Sequence, residues 1–95
     1  MVIGTGKIKF RLFDTRSLKA KRGVVKSIVH RTRNRFNISM AETGFQDSHD
    51  WAEIGFSMTG NDSRKVNSKV DKVIEFVDNL GLAMIVDSHI EIIHL

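Results

Sequence analysis

No cysteine occurs in the 95 residues. That excludes a disulfide framework, a thiol nucleophile and a cysteine-based zinc site, and it suits a reducing cytoplasm. Proline is absent as well, and no serine-rich or repetitive tract interrupts the chain, so neither a disordered linker nor an internal repeat is expected. Long apolar runs are missing, and the N-terminal MVIGTGKIKF has no charged region ahead of an apolar core. Secretion and membrane spanning are therefore not expected, and the expected location is cytoplasmic. The most informative gap is in charge of one sign: between Thr15 and Ala41 there is no acidic side chain.

Against that gap stands a concentration of positive charge. Residues 1–41 hold eleven Lys and Arg against the single acid Asp14, whereas residues 42–95 hold four against ten acids. The net charge of +4 is thus the sum of a basic and an acidic half, a pattern that predicts an electrostatically polar molecule. With 41% hydrophobic and 27% charged residues, the composition is that of a globular chain, and the length fits one domain over 1–95.

The basic residues fall on a predicted helix, Ser17 to Phe36. Leu18, Val25, Ile28, Val29 and Phe36 recur at helical spacing with Thr32 in phase, so one side can be buried. On the other side Lys19, Arg22, Lys26, His30 and Arg33 align along one flank, while Arg31 and Arg35 border the apolar stripe on its far side. Like charges at i,i+4 destabilise an isolated helix by about 0.2 to 0.5 kcal/mol per pair. Such a flank fits an anionic partner, and the plainer alternative is a solvated face. Lys21 points near the apolar stripe, where its stem can cover the edge of the core.

The remaining chain reads as follows. From Lys7 the first strand alternates, with Ile8, Phe10 and Leu12 opposite Lys7, Lys9 and Arg11. Gly4 and Gly6 share the buried phase, which predicts a bend or the close approach of a helix; a nucleotide-binding loop is the lesser alternative, because this GxG lies within a strand rather than between a strand and a helix. Asp14 to Ser17 form a connection in which Ser17 caps the helix. Phe36, Ile38 and Met40 share one phase of a second strand, and Ala52, Ile54, Phe56 and Met58 one phase of a third, separated by the polar break Gln46 to Asp50. Asp62 and its neighbours cap a second helix carrying Val66, Val70, Val73, Val77 and Leu80, closed by Gly81. The last strand sets Met84, Val86, Ile90 and Ile92 opposite Asp87, His89 and Glu91. The order strand, helix, strand, strand, helix, strand predicts an α+β, ferredoxin-like sandwich: a four-stranded antiparallel sheet with two helices on one face.

SLKAKR at 17–22, FNISMAE at 36–42, Gln46-Asp47 and AEIG at 52–55 together resemble the YlxP-like family of small bacterial proteins, over nearly the whole chain. That resemblance implies the ferredoxin-like fold. The genes of family members tend to lie beside those of translation initiation factor two and ribosome-binding factor A, which implies a link to ribosomal RNA. The chain departs from the family pattern in carrying His49 where relatives tend to place an aromatic, with Trp51 two residues later.

Chemistry is weakly represented. Base stacking across the sheet needs aromatics on its open face, and only Trp51 and Phe13, near strand ends, qualify. Asp87, His89 and Glu91 are expected beside Lys7, Lys9 and Arg11, where cross-strand ion pairs account for both rows without a catalyst. His30, His49, His89 and His94 show no paired ligand spacing, and Asp47, His49, Asp50 and Glu53 read as a polar turn rather than a metal site. Arg16 lies in a loop comparable to the phosphate loop of acylphosphatase, which shares the fold, but the glycine-rich loop and asparagine of that enzyme are not recognisable. No enzyme activity, cofactor or metal is expected. The expected function is binding of structured RNA or a ribosomal subunit through phosphate contacts from Arg16, Lys19, Arg22, Lys26, His30 and Arg33. An acidic protein surface, such as that of a translation factor, is the rival partner. A homodimer formed through the open sheet face or an edge strand is a further expectation, with Ile3, Phe13, Trp51, Ile85 and Ile93 in the open phase.

Overall fold

The computed structural model describes residues 1–13 and 15–95; Asp14, expected in the first connection, lies outside the described residues. The elements are β1 (Val2–Arg11), α1 (Leu18–Arg35), β2 (Ser39–Gly44), β3 (Trp51–Gly60), α2 (Ser63–Leu80) and β4 (Met84–His94). All strand pairs are antiparallel and the sheet order is β2-β3-β1-β4. This is the predicted ferredoxin-like arrangement, in which β1 and β3 are central and β2 and β4 are edges.

Local chemistry explains the boundaries. Ser17 Oγ accepts the Ala20 amide at 3.1 Å, and Asp62 Oδ1 accepts the amides of Arg64 and Lys65 at 2.9 and 3.2 Å, so each helix begins on a side-chain cap. α1 stops where Phe36 turns extended, and α2 stops at Gly81 with φ 65°, a left-handed residue suited to glycine. Gly4 fulfils the close-approach reading: a Cβ there would lie 2.6 Å from Val66 Cγ1 and 2.8 Å from Val70 Cγ2. Only a glycine lets α2 settle this near the sheet.

The core lies between the sheet and the helices and is built on Ile8, Phe10, Ile54, Val70 and Val73, all nearly or fully buried. Phe36 and Phe76 join the two helices edge to face, with ring centroids 5.6 Å apart. Val2, Met40, Ala52, Met58 and Val66 belong to this core, while Val29, Phe36, Ile90 and Ile92 are half-buried against it. On α1 the innermost line is Lys21, Val25, Ile28 and Thr32, so the stripe is rotated from Val29 toward a lysine and a threonine. Thr32 is accommodated because its Oγ1 donates to the Ile28 carbonyl at 2.6 Å.

β4 departs from its predicted faces. Lys9 pairs with Asp87 but Phe10 pairs with Ile85, leaving Val86 without a partner in a bulge. One extra residue inverts the parity of everything before it. Ile85, expected on the open face, packs on the core, and Met84 and Val86, expected inward, are exposed.

Candidate functional site

α1 sets the basic flank beside edge strand β2. Arg22, Lys26, His30 and Arg33 line one groove of about 690 Å³ together with Val25, Val29, Met40, Ala41 and Glu42. The helix supplies the cationic wall, and Val25, Val29 and Met40 supply apolar lining. Lys19 shares the flank but stands outside the groove lining, and Arg16 precedes the helix cap; both are exposed. Among the described residues, no carboxylate comes within 4.0 Å of these six side chains. His30 Nε2 lies 3.3 Å from Asn34 Nδ2, one helical turn on. Beyond His30 and Arg33 the cationic surface continues into a second depression that reaches Asn37 and Ile38.

The first turn of α1 holds no acid, and Arg33 and Arg35 stand in its last turn. Cations at a helix C-terminus are favourable by about 0.3 to 1 kcal/mol each, whereas a positively charged N-terminus leaves the dipole without compensation. The start of α1, with Arg16 and Lys19 and no acid in its first turn, adds positive charge to the positive end of the helix dipole.

Lys21 separates from this flank. It is fully buried, its Nζ lies 2.7 Å from Glu42 Oε2, and it donates to the Phe45 carbonyl at 2.8 Å. The 2.7 Å contact has ion-pair distance without good hydrogen-bond angles, so Glu42 Oε2 is held chiefly by charge. This pair ties the SLKAKR segment to the FNISMAE segment and fixes α1 against β2, so the groove is preformed. Sequence reasoning placed Lys21 near the core but missed Glu42. Alternation marks Glu42 as inward, in phase with Ile38 and Met40, but its meeting with Lys21 follows from the β2–β3 register and the packing of α1 on β2, which alternation does not carry.

The open face differs from expectation: among the described residues no ion pair joins Lys7, Lys9 or Arg11 to Asp87, His89 or Glu91, and Phe45 joins Trp51 and Phe13 there. Cross-strand ion pairs between Lys9 and Asp87 do not form, because Lys9 Nζ instead stands over the rings of Trp51 and Phe45, at 4.7 and 5.2 Å from their centroids. Arg11 likewise lies between Trp51 and Phe13, at 4.9 and 5.6 Å. Phe45 reaches this row because it adopts a left-handed φ of 58°. The Gln46 to Asp50 break is a turn in which Ser48 Oγ accepts the amides of Asp50 and Trp51. His49 Nδ1 lies 3.4 Å from Asp50 Oδ1. Among the described residues no helix is long and apolar enough to cross a membrane.

Over residues 3–90 the chain matches the family described as "Protein of unknown function (DUF503)". It is also 31% identical over 78 residues to "Uncharacterized protein YlxP" of Bacillus subtilis (strain 168), covering 82% of this chain and 85% of that one. The chain belongs to the DUF503, YlxP-like family of bacterial proteins.

Proposed function

We propose that the protein is a non-enzymatic, cytoplasmic RNA-binding protein that contacts structured RNA, ribosomal RNA in particular, through the groove flanked by α1. The observation that carries this reading is the row Arg22, Lys26, His30 and Arg33 on one wall, with no carboxylate within 4.0 Å among the described residues. Lys19 extends the row toward the helix start, and Arg16 adds charge beside the Ser17 cap. Lysine and arginine without interleaved aromatics grip phosphates and read shape rather than base sequence. An acidic protein surface is the second reading, favoured by the apolar Val25, Val29 and Met40 lining and by the unpaired edge of β2 beside the groove.

Fluorescence anisotropy with a labelled RNA hairpin across a salt series tests the proposal. Engaging four phosphates predicts a slope of log affinity against log salt of about −3 to −4. A Lys26→Glu, Arg33→Glu variant is expected to flatten that slope by about two and to weaken binding at least tenfold. Equal binding by parent and variant contradicts the proposal, and tighter salt-dependent binding to a polyglutamate peptide than to RNA favours the protein reading.

A further inference from the structure

One end of the sheet, where β1 and β2 finish and β3 and β4 begin, gathers apolar surface. Phe13, Phe45, Leu82, Met84 and Val86 are 62, 45, 37, 50 and 42% exposed. Among the described residues, the other large exposed apolar side chains are Met1 and Leu95 at the chain ends. The clustering has two local causes: the bulge at Val86 turns Met84 outward, and the left-handed Phe45 presents its ring to Lys9. Through this surface runs the row Phe13, Arg11, Trp51, Lys9, Phe45, in which each cation sits between two rings. Trp, Phe, Met and Arg are the residues enriched at the centres of protein interfaces.

Charge decides what kind of partner fits. A stacking platform for unpaired bases needs a positive surround, but Lys9 is flanked in register by Glu53 on β3 and Asp87 on β4. Those carboxylates cancel the field that phosphates require. Both acids stay more than 4.0 Å from Lys9 and Arg11, with Glu53 accepting from Thr43 and Asp87 from the Ser88 amide. Two cations and two carboxylates of the same patch thus lack ion-pair partners among the described residues. A two-fold contact presents one patch to itself, so a patch with both signs is complementary to its own copy.

We infer that this end of the open face is a self-association surface whose occupant is a second copy of the chain. The rings and Met84 fill the centre, and the cations of each copy face the carboxylates of the other. A standard interface takes roughly 800 Å² from each partner, a small share of the 6065 Å² this molecule exposes. The α1 groove lies on the helical face, so both copies keep it free, and the inference stands whether or not that groove binds RNA.

Sedimentation velocity from low to high micromolar concentration tests it, with the emission of Trp51, the only tryptophan, as a second readout. The parent mass is expected to rise from 10.8 kDa toward twice that value, with a blue shift of Trp51 over the same range. A Phe13→Asp, Met84→Asp variant is expected to stay monomeric and, at low concentration where the parent too is monomeric, to melt at the parent's temperature, since both side chains are exposed. The single variant Arg11→Glu, which keeps every apolar group, is expected to weaken association at least tenfold. A parent that is monomeric throughout overturns the inference, as does a dimer unaffected by Arg11→Glu. Quenching of Trp51 by oligouridylate in a monomeric parent overturns it in favour of a nucleic-acid surface.

Discussion

Lys21 is a lysine where the helical pattern asks for an apolar residue, and its surroundings explain how that is tolerated. Burying an ammonium costs several kcal/mol unless charge and hydrogen bonds compensate it; here Glu42 Oε2 at 2.7 Å and the Phe45 carbonyl at 2.8 Å do so. Removing one partner leaves the other stranded. Lys21→Met is expected to cost about 3 kcal/mol, the lower end of the range for a broken buried pair, because the Glu42 side chain keeps 18% exposure. In Lys21→Met, Glu42→Met most of that loss is expected to return, as the Phe45 carbonyl still accepts the Ser48 amide at 3.0 Å. Urea unfolding of the four proteins of this double-mutant cycle measures the coupling; additive losses contradict a paired Lys21 and Glu42. Half of this unit was legible beforehand, since Lys21 falls four residues before Val25 and so on the buried side. Its partner depended on which face of β2 meets α1, a tertiary fact. Phe45 was not legible at all, because a bulky residue at positive φ contradicts local preference and persists only where tertiary contacts hold it.

The elements divide between those ruled by period and those ruled by register. α2 follows its sequence closely: Val66, Val70, Val73 and Val77 are the buried line, Asp62 caps it and Gly81 ends it. β4 does not, because alternation carries no sign of where a bulge inserts one residue, and Val86 reversed the faces of Met84 and Ile85. β1 shows the reverse case: of the two glycines in the buried phase, Gly4 meets the expected helix at Val66 and Val70, whereas Gly6 makes room for the Phe56 ring of β3. Adding a methyl at Gly4 drives it into Val66 and Val70 at 2.6 and 2.8 Å, so α2 must move away from the sheet. Gly4→Ala is expected to lower stability by about 1 to 3 kcal/mol through overpacking, measured by thermal or urea unfolding. A neutral or stabilising effect contradicts the close packing of α2 on β1.

Across the whole molecule, the charge asymmetry of the sequence becomes a spatial one. The basic half supplies β1 and α1, and α1 lays its cations along a groove against β2. The prediction of a basic flank needed only helical periodicity. That four of its members share a groove with Met40 and Ala41 needed the packing of α1 on β2, which the Lys21 and Glu42 pair fixes. A preformed cationic groove loses little conformational freedom on meeting phosphates, whereas a solvated charge run must be ordered first. Cosedimentation of the purified protein with small and large ribosomal subunits at low salt, with and without ribonuclease treatment, tests RNA binding by this groove. The parent is expected to sediment with a subunit, ribonuclease to release it, and folded Lys26→Glu, Arg33→Glu to stay in the supernatant. A parent that stays in the supernatant, or a variant that sediments as fully as the parent, would contradict it.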